Sequence, residues 1–189
     1  MFRLITLLLL VLLLAACNLP MLTSTPTLDT ADLPTGVDIT TPTSGGGDCA
    51  WVWNSEPLPE LSIQLQSAME QAGLSDAVGR AIAFGEDCIS ADTGEVSYFA
   101  VKQTDFRFSL PVKDLTDLDA LGELVEGVLS VIDKFPPDDT PGPMPGQVFI
   151  TFVTGDSERS FTFMLNEANT ALAGGHSGAG LLEALGYLP

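Results

Sequence analysis

The sequence predicts an α+β fold: a single antiparallel sheet of four to five strands with two main helices packed on one face. Three observations carry this expectation. Residues 59–73 and 116–135 repeat apolar side chains at helical spacing. Residues 96–112 and 147–165 alternate apolar and polar side chains at the period of a strand. The order is helix, strands, helix, strand pair, helix, which is grouping rather than strict βαβ alternation.

The domain opens where composition changes, at residue 48, and the 140 or so residues that follow are enough for one ordinary domain with its own core. Its first motif, CAWVWN (49–54), sets Trp51 and Trp53 among small or polar neighbours, which suits a short extended segment. Packed, the two tryptophans are core. Exposed, they are an anchor for a partner. A disulfide beside them would hold the segment down and favours the packed arrangement.

In PELSIQLQSAMEQAG, Leu61, Leu65, Ala68, Met69 and Ala72 fall on one helical face, Pro59 suits the first turn and Gly73 the stop. AVGRAIAFGEDC reads as a strand, with Val78, Ile82 and Phe84 on one face and small residues on the other. In the run 95–112, Phe106, Phe108, Leu110 and Val112 alternate with Asp105, Arg107 and Ser109, so one face is buried and the other wet. A bend near Lys102 to Asp105 would make this run one long strand or two.

The second helix carries Leu118, Leu121, Leu124, Val125, Val128, Leu129 and Ile132 as its apolar stripe. Thr116 is placed to cap it and Asp119 to favour its first turn. Gly122 and Gly127 each cost it about 1 kcal/mol and suggest close approach to the sheet. PPDDTPGPMPG ends that helix in a stiff loop. QVFITFVTGDSERSFTFML is a hairpin turning near Gly155 to Ser157. A short helix from about Glu167 to Ala173, a glycine-rich loop and a last helical segment, GLLEALGYL, complete the chain. The two halves read as a loose helix–strand–strand repeat without identity of sequence.

Ahead of the domain, Leu4 to Ala16 is apolar except for Thr6 and follows a single basic residue, Arg3. A helix needs about 20 residues to cross the hydrocarbon layer, and this run is too short. The layout is that of a secretory signal peptide, residues 1–16. It ends in Leu14-Ala15-Ala16-Cys17, which resembles the lipobox of bacterial lipoproteins. That resemblance covers the first 17 residues only. It implies that the Cys17 thiol receives a diacylglycerol (and palmitate-type acylation), that cleavage precedes it, and that the lipid holds the protein on a membrane. The one-arginine n-region departs from the family's usual basic start. Each buried methylene contributes roughly 0.8 kcal/mol, so two chains anchor firmly where one does not. No segment after Cys17 reaches 18 consecutive apolar residues. Residues 18–47 are rich in Thr, Pro, Ser and Gly and lack aromatic residues, so they are expected to be a disordered tether.

Three cysteines occur. With Cys17 lipidated, Cys49 and Cys88 remain, and in an exported protein an even remainder suggests a disulfide. The whole chain carries a formal charge of −18. Loss of the leader leaves six cationic residues (Arg80, Lys102, Arg107, Lys113, Lys134, Arg159) against 25 acidic ones, which is −19. Such a surface repels nucleic acid and anionic headgroups and tolerates cationic partners or divalent ions.

The chemistries considered fit poorly. Gly175-His176-Ser177-Gly178-Ala179 misses the last glycine of a nucleophile elbow, and the only histidine adjoins the serine. Ser177 reads instead as a helix cap. One histidine cannot build a transition-metal site. Glu86, Asp87, Asp92 and Glu95, or Asp138 and Asp139, supply carboxylates for calcium, but neither group matches an EF-hand. The expectation is therefore a lipid-anchored extracytoplasmic protein, on the cell surface or in the periplasm, with no catalytic residues, metal or cofactor. Its domain would bind a protein or envelope component without catalysing a reaction. A small-ligand or calcium-binding module is the alternative, with an envelope hydrolase a distant third.

Overall fold

The computed structural model describes residues 49–187, so the expected leader, the Cys17 lipid site and the tether lie outside the described residues. The elements are β1 (Cys49–Pro57), α1 (Pro59–Gln71), β2 (Val78–Ser90), β3 (Val96–Pro111), α2 (Leu118–Ile132), a 3-10 turn (Pro137–Asp139), β4 (Gln147–Thr154), β5 (Ser157–Met164), α3 (Leu165–Ala173) and α4 (Gly178–Ala184). Among the described residues no helix is long and apolar enough to cross a membrane.

The five strands form one curled sheet in the order β1-β2-β3-β4-β5. Three of its four pairings are antiparallel, and β3 with β4 is parallel. The expectation of an all-antiparallel sheet is corrected here. The chain leaves β3, runs through α2 and re-enters alongside β3, and a crossover of that length is what a parallel neighbour requires. The β3 run is one strand rather than two. Phe84 pairs with Gln103 and Gly85 with Val101, so Lys102 is passed over as a local irregularity instead of a turn.

The core follows from side-chain periodicity. Phe106, Phe108 and Leu110 of β3 and Val148, Ile150 and Phe152 of β4 are buried in one cluster. Leu65, Ala68 and Met69 of α1 join it, as do Leu121, Val125, Val128 and Leu129 of α2 and Leu181 and Leu182 of α4. On β2 the inward residues are the small ones, Gly79 and Ala81. A Cβ at Gly79 would overlap Met69 Sδ, so that glycine lets α1 lie close on the strand.

Pro59 sits in the first turn of α1, and Gly73 terminates the helix at φ 83°. The cap of α2 is Asp117, whose carboxylate accepts the Ala120 N–H at 3.1 Å, and not Thr116. The Thr116 hydroxyl and N–H instead both donate to Asp114, at 2.7 and 2.8 Å. Gly122 meets another helix rather than the sheet: a Cβ there would overlap the Gly178 backbone at the start of α4. Ser177 holds the position before α4 but makes no capping hydrogen bond. Carboxylates of α2 do that work, Glu126 accepting from Gly178 N–H at 2.7 Å and Asp119 from Ala179 N–H at 3.1 Å.

Candidate functional site

The strand residues that alternate with the core set are outside it. Arg80, Ile82, Phe84 and Glu86 of β2 face Arg107, Asp105, Gln103 and Ala100 of β3, and Arg107 faces Phe149 of β4. Arg80 and Arg107 are exposed directly opposite one another, and the Arg107 guanidinium lies 4.9 Å over the Phe149 ring. Trp51 and Trp53 belong to this same set, opposite Cys88 and Glu86.

The two tryptophans are not core. Trp51 is 47 % and Trp53 62 % exposed, and the expectation that a neighbouring disulfide would seat them in the core is overturned. The reason lies in the lengths of the elements. None of the residues 49–57, 86–90 and 96–101 belongs to the core cluster or its packed fringe. This end of the sheet is a three-stranded extension without the cluster's support, and Val52, Val96 and Tyr98 are exposed with the tryptophans.

What holds the extension is covalent and aromatic. Cys49 and Cys88 are joined, as their number suggested, and the bond ties the first residue of β1 to β2. Trp51 and Tyr98 flank Cys88 from either side in register and meet edge to face, centroids 5.6 Å apart, over a Cys88 that is 2 % exposed. Trp53 stacks on Phe84 at 5.1 Å with planes 6° apart, so one ring face is packed and the other meets solvent. Beside them Lys102 pairs with Glu86 at 3.1 Å, the one ion pair among the described residues. Cysteine parity pointed to the disulfide. Phe84 and Tyr98 were legible only as strand residues, because their place beside the tryptophans depends on register.

Deeper in the extension, Asp87 is 9 % exposed, accepts from Asn54 Nδ2 at 2.9 Å through one oxygen and has no partner for the other. Buried Asp105 is satisfied, accepting from Gln103 Nε2 at 2.7 Å and Gln147 N–H at 2.9 Å. These bonds, with Thr104 Oγ to the Pro141 carbonyl at 2.7 Å, fasten the proline-rich loop to β3. Among the described residues no three His, Cys, Asp or Glu side chains converge as a metal group would require. Two surface depressions of about 250 and 510 Å³ lie elsewhere, one between β3 and α2 and one beside α3 and His176. The tryptophan face thus exposes apolar rings beside the Lys102–Glu86 pair, with Arg80 and Arg107 further along the same face. At Asp114 the Thr116 N–H and hydroxyl hold the carboxylate below the ordinary range.

No protein-family model, no curated protein and no solved structure matches this chain.

Proposed function

We propose that this is a lipid-anchored extracytoplasmic protein whose domain is a non-enzymatic binding module, and that it meets a protein of the cell envelope through the Trp51–Trp53 face. The observation that carries the reading is the exposure of both tryptophans on a strand that the fold takes trouble to fix in place. Large aromatic side chains dominate binding hot spots, and leaving two of them in water is unfavourable unless something covers them. The Leu14–Cys17 motif supports attachment through Cys17, with residues 18–47 as the tether.

The anchor is checked by Cys17→Ser, which is expected to move the protein from the membrane to the soluble fraction. The contact is checked by a photo-crosslinking side chain at position 55, which shares the tryptophan face, in the cell that makes the protein, beside the same probe at position 158 on β5. Adducts are expected from 55 and not from 158. Equal yields, or none from 55, would sink the reading.

A further inference from the structure

We infer that the open half of the β1 edge receives an extended, cationic polypeptide segment of another protein, which adds to the sheet as a sixth strand. The inference rests on the binding reading above and names the partner's chemistry.

Among the described residues β1 pairs only with β2, so its other side is an edge of the described sheet. Along an antiparallel strand, alternate residues direct both backbone groups to the neighbour and the rest direct them away. The parity here is fixed at the end of the strand. Leu58 N–H donates across to the Ala81 carbonyl at 3.0 Å, so the even residues face β2. Ser55 N–H finds its acceptor in the Asn54 side chain at 2.7 Å, as an outward group must. Cys49, Trp51 and Trp53 therefore present their backbone groups to the open side.

The edge is consequently divided. Its lower half is closed, because the Ser55 N–H is taken and Pro57 has none to offer. Its upper half, Cys49 to Trp53, has no charged side chain and no proline, and its register with β2 runs without a shift. Edges left in this state are templates for another strand. The opposite edge, β5, is protected: Glu158 and Arg159 lie on it, and Arg159 is 5.7 Å over the Tyr187 ring. Two edges of one sheet, one guarded and one bare, mark the bare one as the docking strand.

Charge selects the occupant. At the open half lie Asp92 and Glu95, exposed in the turn between β2 and β3, and Glu86, which pairs with Lys102. A second copy would bring a chain of the same acidic character, −18 over the whole sequence. The chain's own residues 18–47 carry Asp29, Asp32 and Asp38 and no cation. Both are acidic and both are disfavoured, whereas a segment alternating basic and apolar residues matches the surround and lays its apolar side chains beside Trp51 and Trp53.

The test uses the full chain and an acetylated, amidated nine-residue peptide alternating lysine with valine. Tryptophan fluorescence is expected to saturate, and amide exchange at Trp51 and Trp53 to slow at least about tenfold. A glutamate–valine peptide is expected to bind at least about tenfold more weakly. Peptides N-methylated on one alternate set of amides or on the other are expected to differ by a similar factor, because one set faces β1 and the other faces away. Equal effects of the two methylated sets, or equal affinity of the acidic peptide, would overturn strand addition by a cationic segment and leave the tryptophan face as a contact surface. Absence of binding up to about 1 mM, with crosslinks still formed from position 55, would overturn the inference alone. Absence of both would remove the binding reading as well. A crosslink from 55 to a second copy, or slow exchange at Trp51 and Trp53 before peptide is added, would assign the edge to the chain itself.

Discussion

Removing the disulfide is expected to loosen one end of the sheet and spare the core. The perturbation is Cys49→Ser with Cys88→Ser. For global unfolding the bond closes a loop of 39 residues, and chain entropy puts its contribution at about 4 kcal/mol. Local opening is a different process. If only β1 frays, Leu58 and α1 stay packed and the released segment is the nine residues Cys49–Pro57. The same relation for about ten residues gives about 2.5 kcal/mol, roughly a hundredfold in the opening equilibrium. The aromatic pairs that remain, Trp51 on Tyr98 and Trp53 on Phe84, contribute about 1 kcal/mol each and do not replace it. Hydrogen exchange resolved by residue is the assay. Val52 and Asn54 amides, which face β2, are expected to lose protection about a hundredfold, while Val125 and Ile150 lose it only to the extent that global stability falls. Equal loss at all four positions would refute the treatment of the extension as a separate opening unit. Unchanged protection at Val52 would refute the role given to the bond.

Two further outcomes follow from the packing. Gly122→Ala pushes a Cβ into the Gly178 backbone, which cannot move aside as a flexible side chain would, so α4 must shift with the buried Leu181 and Leu182. A loss of about 3 kcal/mol and about 10 °C in Tm is expected by calorimetry, and an unchanged Tm would mean that the helices do not meet there. Asp114 has its carboxyl pKa lowered from the ordinary 3.8 by its bonds to Thr116. Its contribution to the turn is therefore present above pH 3.8 and lost as pH falls through the lower folded value. Thr116→Val is expected to bring that pKa back toward the ordinary value by NMR titration, and no movement would dismiss the hydroxyl's part.

Local pattern made the helices and the hairpin readable. Leu65 with Ala68 and Met69 recur at helical spacing, and Gly155 marks a turn between two alternating runs. The parallel pairing of β3 with β4 was not readable, because Phe106, Phe108 and Leu110 alternate in the same way whichever direction the neighbour runs. The fate of Trp51 and Trp53 was equally hidden. Their exposure depends on how far three strands outrun the helices beside them, a matter of element lengths that no residue at positions 49–54 encodes. Gly122 looked like a contact with the sheet because its true neighbour, Gly178, is remote in sequence and is brought close only by the turn after α3. The site was legible as residue types, two tryptophans beside a cysteine, and illegible as geometry.

The position of the disulfide also decides how the domain bears load. A pull arriving through the chain ahead of Cys49 would meet β1 at its end and peel it from β2, breaking ladder bonds one after another, the weakest way to stress a sheet. The bond at Cys49, the first residue of the strand, passes the pull to Cys88 before any ladder bond is loaded. Force then runs along β2, which is held on both sides by β1 and β3 and must shear many bonds at once to yield. A domain pulled from its N-terminal side is thereby gripped at an interior strand, and its exposed first strand stays seated under tension.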